Sequence, residues 1–500
     1  AAEGLPKAAE GLPKAAEGLP KAAEGLPKAA EGLPKKRCPN GFTRNKKTGE
    51  CDPKKNKTKK LVPANIATFF KKKEDARRSN FLEKICSDSG QCIAFGQEID
   101  RIKTFFDGFD LSSKSVDMQK IKRIGALSSN GFVTEIPYQK SFYNAYAILK
   151  SAQQTDSDNL YYEALVGIFV NKLNKRYPCF LETYSPYVYE KRGIYDKLKN
   201  KQPVSRLKNI QKMVKKYNYD EMFENINVSK SCKHSVYMCV LIQHLKNSKS
   251  LAQYMDTLKT DEDFFSVHLV NYLYQVYCPL DSLKDEFTHY DLHPDNVLIY
   301  HPSTDPNKYV KMVYHYPNNS IVEFNTQGIS KIIDYGRCFF DDREENTSSL
   351  KFYDKVCATK PECDPNCGFE QGYSTLAKEY IPGDFYYISS QARNKSHDLR
   401  LLNSIWNIPG KYNGKYNDLR NVLGLVIYED NYGTREIDKS TYHTTKKIQT
   451  VEDAHLALKG IILKSSYFKR ENDRIFKHKI KMGELHVWVD GSKNVEWRLA

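Results

Sequence analysis

Hydrophobic and polar positions become regularly spaced only after about residue 80. Three segments rich in β-branched, aromatic and other apolar residues predict strands, at 133–136, 144–150 and 236–245. Leu165, Ile168, Phe169 and Leu173 recur at spacings of three and four, and Pro178 lies just beyond them, which predicts a helix over 159–176. A second apolar-periodic helix is predicted over 264–277, with further helices at 398–406 and 454–467. Strands come first in this pattern and helices dominate later.

The first 80 residues follow other rules. Residues 1–35 are five copies of Ala-Ala-Glu-Gly-Leu-Pro-Lys. A Gly and a Pro in each unit prevent a continuous helix, and one Leu per unit cannot build a core, so a flexible spacer is expected. Of the formal net charge of +16, residues 36–60 carry +8 and residues 71–78 carry +3. A basic arm over 36–78 suits nucleic acid or another polyanion, although a solvated tail has the same composition. Within it Cys38 and Cys51 flank the turn signals Pro39-Asn40-Gly41 and Thr48-Gly49; two cysteines alone cannot make a tetrahedral zinc site. This stretch resembles a basic Cys-Pro-Asn-Gly motif found in many proteins of large DNA viruses.

The 500 residues can bury one large domain or two moderate ones. No apolar run approaches the ~18 residues that a spanning helix needs, and no charged-then-apolar leader opens the chain, so neither a membrane span nor a secretory signal is expected. Twelve cysteines do not form a disulfide framework. Cys86, Cys179, Cys239 and Cys278 lie among apolar residues and read as reduced core thiols, favouring an intracellular compartment.

Candidate chemistry is concentrated in two motifs. His289-Tyr290-Asp291-Leu292-His293-Pro294-Asp295-Asn296 runs into the apolar strand Val297-Leu298-Ile299. Asp291 can orient an attacking hydroxyl and accept its proton, and the Asn296 oxygen can ligate a hard cation such as Mg²⁺. Lys331-Ile332-Ile333-Asp334-Tyr335-Gly336 follows, with Asp334 placed 38 residues after Asn296. A carboxylate at a strand end beside a flexible Gly is a second oxygen ligand for the same cation.

In this order the two motifs resemble those of protein-kinase-like enzymes, in particular the serine/threonine kinases of iridoviruses and other large DNA viruses, over roughly residues 115–410. The resemblance implies an α+β, two-lobed fold with a small antiparallel β-sheet lobe and a larger, mostly helical lobe. It implies ATP and Mg²⁺ in the cleft between them. Ile124-Gly125 and Gly131-Phe132-Val133 stand where a phosphate-covering loop is expected, with the two glycines one residue further apart than the family's first and third. Lys150 closes the strand segment Ala147-Ile148-Leu149 and would anchor phosphates, with Glu163 as its partner. Backbone groups from Gln243 to Leu245 would meet the adenine. Asp398 would brace the catalytic loop from behind.

Departures from the family pattern change the expectations. Tyr290 replaces the usual Arg, so no phosphate-operated activation segment is expected. His293 replaces Lys and is closer to small-molecule kinases. Tyr335 replaces Phe, no Ala-Pro-Glu follows Gly336, and the segment 337–397 is unusual. Cys357, Cys363 and Cys367 cluster in that segment; with His397 they could ligate zinc, but reduced thiols are the plainer expectation.

The expected organisation is a spacer (1–35), a basic arm (36–78), an extension (79–114), a small lobe (115–245), a large lobe (246–470) and a C-terminal extension (471–500). The expected activity is Mg-dependent phosphoryl transfer from ATP to a protein or small-molecule hydroxyl, in a virion or host cytoplasm if the chain is viral. A pseudokinase and a basic nucleic-acid-binding virion protein are the alternatives.

Overall fold

A computed structural model describes residues 42–44, 50–53, 86, 91–125, 131–152, 159–202, 214–216, 237–351, 390, 392–406, 417–428 and 447–499. Residues 1–35, most of the basic arm and Cys357, Cys363 and Cys367 lie outside the described residues. The chain divides into two compact units, Ala1–Glu74 and Asp75–Ala500. In the first, strand β1 (Phe42–Arg44) pairs antiparallel with β2 (Cys51–Pro53), with Phe42 opposite Pro53.

The second unit is α+β. Its described residues include helix α1 (Glu98–Phe105), whose Ile99 and Ile102 are buried, and a short 3-10 turn, Asp107–Phe109. Six antiparallel strands follow: β3 (Lys122–Ile124), β4 (Gly131–Lys140), β5 (Tyr143–Ala152), β6 (Thr183–Tyr189), β7 (Val214–Lys216) and β8 (Met238–Gln243). They stand in the order β3-β4-β5-β8-β6-β7. In β5 the residues Ala145, Ala147 and Leu149 are buried on one face, so strand alternation sends Lys150 to the other. Central β8 is buried on both faces from Met238 to Leu241.

Two hydrophobic clusters meet this sheet. One gathers Ile136, Tyr138, Ala147, Leu149 and Leu241 with Ile102, Phe106 and Phe109, so part of the expected extension 79–114 packs into the sheet's core. The other contains Met238 and Val240 and helix α2 (Asn159–Leu173). Helix α2 is buried almost all round rather than along one stripe, which its many apolar residues allow. At Gly167 it approaches β6 so closely that a Cβ would lie 2.4 Å from Thr183 Oγ1. Helix α3 (Arg192–Lys199) adds Ile194, Tyr195 and Leu198 to the first cluster.

Next come β9 (Lys249–Ser250), α4 (Leu251–Thr257) and a π turn at Phe264–His268 that leads into α5 (Leu269–Ser282). The helix expected at 264–277 therefore opens on a π turn and runs further. Every residue of α5 from Leu269 to Leu280 is buried. The remaining strands are β10 (Phe287–Thr288), β11 (Val297–Tyr300), β12 (Lys308–His315), β13 (Ile321–Thr326), β14 (Ile329–Ile332), β15 (Phe339–Asp342) and β16 (Thr347–Ser348). Helices α6 (Arg400–Trp406), α7 (Asn417–Leu423), α8 (Val451–Lys464) and α9 (Ser466–Phe476) precede β17 (Ile480–Trp488) and β18 (Glu496–Leu499).

Beside its helices, the second half also holds a four-stranded sheet of order β13-β12-β17-β18 and two three-stranded sheets, β14-β11-β9 and β10-β15-β16, which periodicity did not predict. Val310, Met312 and Tyr314 alternate inward along β12, as do Val322 and Phe324 along β13, a period-two signal that favours strands. β17 joins β12 in parallel, and the boundary expected at 470 falls inside α9. The reading of Cys86 as a reduced thiol is also overturned: it is bonded to Cys92. Cys179, Cys239 and Cys278 are free and buried. No helix among the described residues is long and apolar enough to cross a membrane.

Candidate active site

Three elements deliver charged side chains to one point. Lys150 Nζ, from β5, donates to Glu163 Oε2 of α2 at 2.6 Å and to Asp334 Oδ1, just past β14, at 2.8 Å. Burial opposes the charge of Lys150, but Asp334 and Glu163 outweigh it and hold the ammonium above the ordinary lysine range. Burial pushes Glu163 up to about 7 against the pull of Lys150. The Lys150 ammonium holds Asp334 below the usual carboxylate range.

The loop from β10 to β11 carries the remaining candidates. Strand pairing aligns Val297 with Ile332, and Ile333 N–H donates to Asn296 O at 3.0 Å, which sets Asn296 beside the segment bearing Asp334. Asn296 Nδ2 donates to Asp291 O at 2.8 Å. That leaves Asn296 Oδ1 and the second carboxylate oxygen of Asp334 as oxygen donors. Both are hard oxygen donors of the kind Mg²⁺ takes, so the residues present fit that ion. Clusters of three or more His, Cys, Asp or Glu side chains arranged to hold a metal are absent among the described residues.

The loop is braced by residues to which the sequence assigned no chemistry or only a supporting place. His289 Nε2 donates to Ile333 O at 3.0 Å, while its Nδ1 accepts the Asp291 N–H at 3.3 Å. Burial drives its pKa down to about 4, so the imidazole is neutral and serves as a bridge between the two motifs. Asp398 accepts the N–H groups of His289 and Tyr290 at 2.8 and 3.0 Å. Tyr290 and Asp334 take positive φ angles of 62° and 68°, strained for non-glycine residues and held by these bonds. Tyr335 buries its ring; its hydroxyl donates to Ile332 O and accepts the Leu181 N–H.

Asp291 itself is flanked by two guanidinium groups and an imidazole whose pKa burial lowers. Arg400 Nη1 lies 2.7 Å from its Oδ1, His293 Nε2 lies 3.7 Å away, and Arg337 Nε lies 3.9 Å from Oδ2. Neither arginine was singled out by sequence, since each follows a motif without belonging to its chemistry.

The glycine pair sits beside Lys150. Val133 pairs with Ile124 on one side and Lys150 on the other. Gly125 has φ +68°, and a Cβ on Gly131 would meet Ser151 O at 2.2 Å, so both positions require glycine. Residues 126–130 lie outside the described residues. Gln243 and Leu245 are less clearly placed for a ligand. The Gln243 N–H is taken by Glu182 O, and Leu245 O accepts from Ser248, while the Leu245 side chain is buried in the larger cluster.

A cavity of about 350 Å³ lies elsewhere, between Gln91, Lys246, Tyr300, His301 and Asp305, and none of the site residues above lines it. Lys331 of β14 is 3% exposed; its Nζ donates to Phe180 O at 3.2 Å and lies 5.2 Å from the Phe95 ring centre, and burial lowers its pKa to about 8. Compared with known proteins, the chain matches no protein-family model and no curated protein.

Proposed function

We propose that this chain is an ATP- and Mg-dependent phosphotransferase of two-lobed, protein-kinase-like fold, acting as a serine/threonine protein kinase of a large DNA virus. The observation that carries the reading is the bridge from Lys150 to both Glu163 and Asp334. A lysine tied to two carboxylates from separate elements serves no packing purpose that an apolar side chain would not serve better. It suits a group that exchanges one carboxylate contact for phosphate oxygens while the other keeps it aimed.

On this reading Glu163 orients Lys150, and Lys150 binds the phosphates of ATP. Asn296 and Asp334 would hold Mg²⁺, which when bound supplies charge neutralisation at the phosphoryl oxygens. Asp291 orients the acceptor hydroxyl and takes its proton. The backbone contacts of Asp398 and His289 keep Asp291 in position before the acceptor arrives. Such a site works by positioning and electrostatics.

The test incubates the full chain with γ-labelled ATP, Mg²⁺ and a panel of acidic, neutral and basic protein acceptors. Asp291→Ala and Asp334→Ala are each expected to lower transfer by a factor on the order of 100 or more, about 3 kcal/mol of barrier. Equal transfer by all three chains defeats the assignment. Binding of Mg·ATP without transfer to any acceptor favours a pseudokinase.

A further inference from the structure

Around the Asp291 carboxylate stand two guanidinium groups, those of Arg400 and Arg337, and the His293 imidazole, whose pKa burial lowers. Of the three contacts, only that of Arg400 at 2.7 Å is a hydrogen bond; Arg337 Nε and His293 Nε2 stand too far away. Arg337 is the less satisfied guanidinium. Its Nη1 is buried with no hydrogen-bond partner among the described residues, although the side chain as a whole is 22% exposed. A charged donor left unmade in this way is costly, and a ligand oxygen would relieve it.

Both arginines are fixed by the fold. Arg337 follows Gly336, and its carbonyl accepts the Ser390 hydroxyl at 2.8 Å. Arg400 opens α6 directly after the 3-10 turn that bears Asp398.

We propose that the acceptor carries an anionic group, carboxylate or phosphate, beside its reacting hydroxyl, and that Arg337 together with Arg400 forms the subsite for that group. The inference rests on the phosphotransferase reading. A hydroxyl presented to Asp291 brings its neighbouring substituents within reach of both guanidinium groups. Their planar forks match carboxylate and phosphate oxygens, and a basic substituent would meet like charge. The phosphate-donor side has its own cation in Lys150, so a second cationic centre at Asp291 selects the acceptor.

The experiment measures kcat and KM of the full chain on serine peptides that differ only in their flanks, which are Asp/Glu, phosphoserine, Ala or Arg. Glycerol phosphate serves as a small anionic hydroxyl compound. Acidic or phosphorylated flanks are expected to raise kcat/KM at least tenfold over Arg flanks. Arg337→Gln is expected to erase that preference through the acceptor KM while leaving the KM for Mg·ATP within twofold. Transfer to glycerol phosphate but not to the acidic peptides supports the anionic subsite and assigns it to small molecules. Equal use of all flanks, a preference for Arg flanks, or an Arg337→Gln defect confined to the KM for ATP overturns the inference and leaves the phosphotransferase standing. Failure of the wild-type chain to bind Mg·ATP overturns both.

Discussion

Lys331 shows how much one buried charge can cost. It lies three residues before Asp334, has one hydrogen bond to Phe180 O, and is held near a pKa of about 8 by burial. The unfolded chain keeps the ordinary lysine value of 10.5, so between about 8 and 10.5 the unfolded state binds the extra proton, and stability rises with pH over that window. Below it the charged side chain costs ~3 kcal/mol. Lys331→Met is expected to gain ~2 kcal/mol at pH 7, after allowing for the lost bond to Phe180. Denaturant melts at pH 7 and pH 10 check this: the variant's advantage should shrink at the higher pH, and a constant difference would contradict the assigned charge. At this scale the sequence singles out Asp291, Asn296 and Asp334 through their motifs, and strand pairing sets the two motifs side by side. Arg337 and Arg400 were not legible, because their meaning lies in their distance to Asp291 and not in their neighbours along the chain.

Helix α2 holds Glu163 against Lys150, and its position depends on close approach at both ends. Tyr162 donates to Cys338 O and meets Ser349 Oγ at 2.6 Å, and Lys172 pairs with Asp342 at 2.8 Å, so the β15–β16 hairpin is fastened to α2. At Gly167 the helix touches β6. Gly167→Ala should therefore lose ~1–2 kcal/mol despite the better helix propensity of Ala, because the added methyl meets Thr183 Oγ1. Thr183→Ala in the same chain should recover only part of it, since it removes Oγ1 and Cγ2 but keeps the Cβ, 2.6 Å from the added methyl, while the Thr183 backbone keeps its bonds to the Asn171 side chain. Thermal melts of the two single variants and the double variant give the coupling directly, and additive losses would exclude the contact as the cause. The strands and helix around Lys150 were legible from periodicity. β12 and β13 carry an equally clear alternation inside a region otherwise rich in helical spacing, and the partner strand β17 is far off in sequence, where no local pattern can reveal it.

At the scale of the molecule, the C-terminal strands are structural members of the larger unit. β17 buries Leu485 and Val487, the connection from β17 to β18 buries Val489 and Val495, and the two strands complete the sheet begun by β12 and β13. The same segment reaches α2 and α5: Val495 N–H donates to Lys175 O, Tyr177 hydroxyl donates to Val489 O, and Ser282 also bonds Val489 O. Truncation after Lys479 should remove roughly 8 kcal/mol of apolar burial, which rivals the 5–15 kcal/mol that keeps a typical domain folded. The shortened chain is expected to show no cooperative melt by calorimetry. A sharp transition near that of the full chain would mean that β17 and β18 are dispensable.

That closing segment also sets an order of events during synthesis. Domains usually fold from the N-terminus as the chain leaves the ribosome. Here the turn just after the helix that bears Glu163 gains the Lys175 and Tyr177 contacts only after residues 489–495 have emerged, when every helix described has already been translated. The lysine, its carboxylates and the loop of Asp291 are all translated long before the strands that brace them, so the nascent chain carries the parts of the site well ahead of the fold that holds them together.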